Sequence, residues 1–261
     1  MTYKTILTEL VDGAIGIVTL NRPEAANALS RQMAEELVGT LHYAETQSNI
    51  RVIILTGAGK KAFCAGADLK ERQGMDRQQW NAQHHAFEKA VAALMHYKKP
   101  VIAAVGGAAI GGGMELAMAC DFIYASKTAT FGLTEARLGI MPGMGGTQTL
   151  SRTIGARRAK EMMFLGHIFG AEEAYDIGLV NRIYAPSSLM EAAVSTALAI
   201  SGNAPLSVAA IKHAVDEGAD EPLAHALQTE LRHYNQLLDT KDRHEGVNAF
   251  NEKRKPRFTG S

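Results

Sequence analysis

The chain has 261 residues, 46% of them hydrophobic, and its 27 Lys and Arg balance its 27 Asp and Glu. That length and apolar content support a full core, in one domain or in one domain with a packed appendage. A formal charge of zero argues against a nucleic-acid partner, which calls for a basic excess, and the one dense basic run, Lys253-Arg254-Lys255 with Arg257 after it, reads as a solvated tail.

Residues 6–20 read as a hairpin, with Asp12-Gly13 as the tight turn between two runs rich in strand formers. Ser30 caps an expected helix in which Met33, Leu37, Leu41 and Ala44 recur at helical spacing. Val52–Thr56 is a short buried strand, residues 61–69 a loop, and Trp80–His96 a helix with Phe87, Val91, Leu94 and Met95 on one face. The cadence then returns: strand Val101–Val105, a glycine-rich connection over 106–113, helix Met114–Ala119 and strand Phe122–Ala125. This repetition suggests stacked strand-strand-helix units. The strand signals fade near Ser187, and 189–200, 205–217 and 223–238 read as amphipathic helices. The organisation expected is a core over 1–187 and a helical region over 188–261.

No leader pattern opens the chain, since Lys4, Glu9 and Asp12 interrupt the first twenty residues. The nearly uncharged stretch Pro100–Cys120 holds five glycines and Glu115, which suits a buried strand, turn and helix and not a membrane span. Cys64 and Cys120 lack metal-ligand spacing and fit a reducing compartment. A soluble protein of the cytoplasm or of an organelle matrix is expected, with no membrane partner. His42 and His84-His85 form no ligand grouping, so no metal is expected and surface helix positions are assigned to them.

Three segments could carry chemistry. Gly111-Gly112-Gly113-Met114-Glu115 leads into a helix, where unpaired N–H groups can hold an oxyanion, although glycines there also serve tight packing. It lacks the Lys-Ser/Thr ending of a phosphate loop. Glu115 in a first helical turn is favoured by the macrodipole in any case. Glu135, in Phe131-Gly132-Leu133-Thr134-Glu135, is either an exposed loop carboxylate or, if buried, a general acid. In residues 63–70 the small side chains let the main chain run close to a ligand, or simply form a turn with Asp68 as a helix cap.

Taken together, these segments resemble the crotonase, or enoyl-CoA hydratase/isomerase, superfamily. The match runs through Asn21-Arg22-Pro23, Asn27-Ala28-Leu29, residues 62–71, Lys99–Val105, Gly111–Ala117, Cys120-Asp121, Glu135, Pro142–Gln148 and Gly178-Leu179-Val180. It ends in Asp242-Arg243, Glu245-Gly246, Ala249-Phe250 and Glu252-Lys253-Arg254, and so covers nearly the whole chain. The resemblance implies an α/β spiral of strand-strand-helix units, a helical C-terminal trimerisation region and a homohexamer built as a dimer of trimers. It implies an acyl-CoA substrate whose coenzyme A arm runs along Ala65, Ala67, Asp68, Leu69 and Lys70, with Phe250 and Lys253 reaching a neighbouring subunit's coenzyme. Ala67 and Gly112 would supply the oxyanion N–H groups, and Glu115 and Glu135 would flank a water aimed at Cβ. The coenzyme is then part of the substrate and no separate cofactor is implied.

Keeping both glutamates points to a hydratase of fatty-acid or branched-chain amino-acid catabolism, since isomerases, dehalogenases and lyases of the superfamily commonly change one or both. Gly106, where the family usually has Asn, and Thr149, where it usually has Arg, are departures that bear on substrate shape. Residues 66–72 and 240–243 are also similar to the 3-methylglutaconyl-CoA hydratase branch. An RNA-binding member of that branch uses a lysine-rich helix, but the helix over 30–46 has no lysine here, so RNA binding is not carried over.

Overall fold

The computed structural model describes residues 3–261. Its strands are β1 (Ile6–Val11), β2 (Ile15–Leu20), β3 (Val52–Gly57), β4 (Ala62–Cys64), β5 (Val101–Val105), β6 (Ala108–Ile110), β7 (Phe122–Ser126), β8 (Thr130–Gly132), β9 (Phe169–Gly170) and β10 (Arg182–Tyr184). Its helices are α1 (Arg31–Thr46), α2 (Leu69–Arg72), α3 (Arg77–Met95), α4 (Gly112–Met118), α5 (Gly146–Ile154), α6 (Ala156–Leu165), α7 (Ala171–Asp176), α8 (Leu189–Ser201), α9 (Pro205–Gly218), α10 (Leu223–Asn235) and α11 (Lys241–Asn251).

Two sheets run side by side along the spiral. One has the order β1-β2-β3-β5-β7-β10 and the other β4-β6-β8-β9. β3, β5 and β7 are each followed within a few residues by a strand of the second sheet, which makes the repeating strand-strand unit. The β1–β2 hairpin is antiparallel, and both Asp12 (φ 49°) and Gly13 (φ 68°) take the left-handed conformation of its turn. From β2 to β10 the larger sheet is parallel, and parallel strands need cover on both faces. Alternating residues supply it. Val18, Leu20, Ile53, Leu55, Ala103 and Val105 join the main core with α1 and α3. Ile15, Ile17, Val52, Ile54, Ile102 and Ala104 join a second cluster under α8, through Leu189, Ala193 and Ala197.

Local chemistry fixes where the helices start. Ser30 accepts from Met33 N and caps α1, as expected. α3 begins at Arg77, three residues before the expected Trp80, because Asp76 and Gln79 form a reciprocal capping box. Two further expectations need correction: residues 61–69 are not wholly loop, since they contain β4, and the 106–113 connection contains β6. Both strands have three residues, too few for a period of two to show. α4 starts at Gly112, two residues earlier than read from the sequence.

Beyond α8, α9 and α10 pack on each other. Lys212 on α9 pairs with Asp121 at 2.9 Å, and Asp121 also accepts from Val101 N at the start of β5. Among the described residues no single helix is long and apolar enough to cross a membrane.

Candidate active site

The ends of the second sheet's strands and the segments that follow them, with α2, α3 and α4, line a cavity of about 370 Å³. Ala65, Ala67, Leu69, Gly112, Glu115 and Glu135 all line it. Two carboxylates twenty residues apart in sequence thus share one space, each delivered by the segment that follows a strand of the second sheet.

Glu115 stands on α4 and is 3% exposed. Its Oε1 accepts two hydrogen bonds of 2.8 Å, from Met144 N and from Gly146 N at the start of α5. Its Oε2 accepts no protein hydrogen bond among the described residues. Burial, the largest influence, pushes its pKa above the usual carboxylate range, and the two N–H donors oppose that shift. An ideal Cβ on Gly146 would lie 2.9 Å from Oε1, so the backbone must be bare there to reach the carboxylate.

Glu135 opens the 3₁₀ turn Glu135–Leu138 and is 8% exposed, which decides its character: it is not an exposed loop carboxylate. Its Oε2 is buried without a hydrogen-bond partner among the described residues. Burial pushes its pKa up to about 7, with the charge of Glu115 adding to the rise and its own backbone N–H opposing it. Burial raises the pKa of both acids, but only Glu115 has two main-chain donors from other residues that oppose the rise.

The N–H of Gly112 is the first of α4 and has no acceptor within the helix. An ideal Cβ on Gly112 would stand 3.8 Å from Ala67 N, and one on Gly66 would stand 3.4 Å from Gly112 N, so the main chain at the start of α4 runs close to the main chain of residues 66–67. On either side of Ala67, Leu29 N donates to Gly66 O and Asp68 N to Leu29 O, and this short bridge pins the loop without using the N–H of Ala67.

Other expected contacts fall elsewhere. Asp68 does not line the cavity: its carboxylate caps α2 through Lys70 N and Glu71 N and pairs with Arg22 at 2.8 Å, because a carboxylate before a helix start finds those donors first. Lys70 is exposed on α2 and also lies outside the lining. Phe250 and Lys253, on and just after α11, are exposed and do not line the cavity of their own chain. Cys64 and Cys120 are buried, and burial pushes the Cys64 thiol up to about 11.

Sequence reading missed Arg72, Trp80 and His84, and the apolar wall of Leu138, Ile140 and Met141. His84, expected on a surface face, lies against Gly143 across the cavity. A helical face turned toward α2 was the available signal, since Trp80, Gln83 and Phe87 recur at helical spacing.

The family model described as enoyl-CoA hydratase/isomerase matches residues 11–261. A Bacillus subtilis protein grouped under enoyl-CoA hydratase/isomerase is 46% identical over 256 residues, covering 98% of each chain. The short-chain-enoyl-CoA hydratase of Clostridium acetobutylicum is 41% identical over 244 residues, 94% of each chain. The crystal structure of an enoyl-CoA hydratase from Bacillus anthracis superimposes with a TM-score of 0.97 at 43% identity, covering 99% of this chain and 100% of that one. With the spiral, the two facing acids and a match over almost its full length, the chain belongs to the enoyl-CoA hydratase/isomerase family.

Proposed function

We propose that the protein is an enoyl-CoA hydratase, adding water across the 2,3 double bond of a 2-enoyl thioester of coenzyme A. The observation that carries this reading is the pair Glu115 and Glu135 in one cavity, one carboxylate held by two N–H donors and the other raised to about 7.

In this reading the thioester oxygen lies between the N–H groups of Ala67 and Gly112. Glu115 takes a proton from water through its free Oε2 as the oxygen bonds to Cβ. Electron density moves onto the thioester oxygen, where two aimed donors stabilise the enolate; losing one such donor typically costs about 3–4 kcal/mol. Glu135, protonated near neutral pH, gives its proton to Cα. The coenzyme A arm follows residues 65–70, and base, acid and oxyanion donors all come from the chain. Two buried free thiols support a cytoplasmic home. We further infer a homohexamer, a dimer of trimers, supported by apolar side chains left open on the C-terminal helices.

Glu115→Gln and Glu135→Gln test the assignment, since Gln keeps size and hydrogen bonding but cannot carry the proton. Each should lower turnover of crotonyl-CoA by about a hundred- to ten-thousand-fold with coenzyme A binding retained. Loss of the enoyl thioester absorbance reports the rate and calorimetry the binding. A single variant that keeps turnover within about threefold of the parent removes that residue from proton transfer.

A further inference from the structure

Arg72, the last residue of α2, lines the cavity without a role in the hydration step. Its guanidinium carbon lies 4.0 Å from the ring centroid of Trp80 and 5.6 Å from that of the fully buried Phe87. Its Nε donates to Gln83 Oε1 at 2.8 Å. Gln83 is 1% exposed and is itself held, because its Nε2 donates to Glu71 Oε2 at 2.7 Å. Trp80, Gln83 and Phe87 come from one face of α3, so a single helix fixes both the plane and the rotation of the guanidinium.

The outer nitrogens of the fork are left free of protein acceptors. Among the described residues, Nη1 and Nη2 of Arg72 have neither a hydrogen-bond acceptor nor an ion-pair partner. Glu71, the one acid whose charge acts on Arg72, already accepts from Gln83 and from Arg31 N. Among the described residues neither Glu115 nor Glu135 makes a hydrogen bond or ion pair with Arg72. A half-buried guanidinium held by stacking, with two N–H pairs left over, is suited to a planar anion that arrives with the ligand.

We propose that Arg72 is a specificity-determining residue that binds a carboxylate on the acyl group, so that the preferred substrates are enoyl thioesters whose acyl chain ends in a carboxylate. The inference rests on the acyl-CoA reading of this cavity. A neutral acyl chain leaves the fork unpaired, whereas an acidic one completes a bidentate pair against the face of Trp80. Sites built around a polar group discriminate strongly against ligands that lack its partner. The phosphates of the coenzyme are the other anions such a ligand carries. Arg72 lies inside the cavity wall with Trp80, Leu138 and Ile140, while exposed Lys70 on the same helix suits a solvated phosphate better.

The test uses saturated thioesters, which bind but cannot be hydrated: glutaryl-CoA, which ends in a carboxylate, butyryl-CoA, which does not, and free coenzyme A. Calorimetry on the intact protein should give glutaryl-CoA at least about a tenfold advantage over butyryl-CoA. Arg72→Met should bring that ratio close to one, and Arg72→Lys, which keeps the charge without the fork, should leave it in between. Thermal melts identify a variant that has not folded, and the ratio in the parent protein then decides without any variant. Equal affinities in the parent overturn the proposal. So does an Arg72→Met loss of the same size for all three ligands, which makes Arg72 a coenzyme contact. A parent that binds none of the three removes the acyl-CoA reading itself, whereas one that binds butyryl-CoA as well as glutaryl-CoA removes only the carboxylate.

Discussion

The unpartnered Oε2 of Glu135 makes this side chain a cost to the fold whenever it is ionised. Its folded pKa of about 7 lies above the ordinary carboxylate value of 4.5. The folded state therefore holds this proton more tightly than the unfolded chain, so the stabilisation is complete below 4.5 and is lost as pH rises through 7. Glu135→Gln, neutral at every pH, should be nearly silent in melts at pH 4 and stabilising above pH 7. The gain should reach up to about 3 kcal/mol, because a tenfold difference in proton affinity between folded and unfolded chains is worth about 1.4 kcal/mol. Melting curves for parent and variant across that range check it, and parallel curves would show that Glu135 is solvated. The same group predicts that hydration falls as pH rises through about 7, since the proton donor is then lost. Both acids were legible in the sequence because each sits in a short motif. Arg72, Trp80 and His84 were not, because side chains on two helices meet only after α3 has folded over α2.

At the scale of the element, the site depends on how closely α4 approaches β4. An ideal Cβ on Gly113 would overlap Cys64 O and lie 2.6 Å from its carbonyl carbon, so α4 packs directly on the main chain of the strand's last residue. That contact holds the main chain of Gly112 close to that of Ala67, three residues past β4. Gly113→Ala should therefore push helix and strand apart, costing about 3 kcal/mol of stability, the upper end for overpacking, and lowering turnover by spreading the proposed oxyanion donors. Gly170→Ala, where a Cβ meets nothing within 4 Å, is the control and should change neither. The sequence showed glycines at this turn but could not separate tight packing from ligand approach. The structure shows the packing at Gly113, which makes room for the strand, and places the neighbouring Gly112 in the cavity wall, where the proposed donor would stand. The second sheet was illegible for a related reason, since β4 and β6 are short and are defined by pairing with each other.

At the scale of the whole molecule, the C-terminal helices have more apolar surface than one chain covers. Leu223, Leu227, Leu231 and Tyr234 form a stripe along α10, each more than half exposed, and Ile211 and Val215 add to it from α9. A stripe of this kind marks an interaction surface, and a second copy of the same helices is the partner that the proposed trimer supplies. Light scattering at micromolar concentration should show a hexamer, and Leu227→Asp with Leu231→Asp should shift it toward smaller species. A parent that remains monomeric under those conditions rules the assembly out. The proposed assembly would give Phe250 and Lys253 a role that their own chain does not, because both are exposed and lie outside its cavity. The left-handed backbone of Lys253 (φ 55°) belongs to the cap that ends α11, where Lys253 N donates to Phe250 O and Arg254 N to Ala249 O, so the fold fixes where this lysine leaves the helix. If it meets a neighbour's coenzyme phosphate, the contact is the same in ground and transition states. Lys253→Ala should then raise KM by about two- to fivefold, the range of an exposed ion pair, with kcat unchanged. Steady-state kinetics on the assembled protein decide it: a large fall in kcat at constant KM would place Lys253 in the chemistry and not in the binding of the coenzyme.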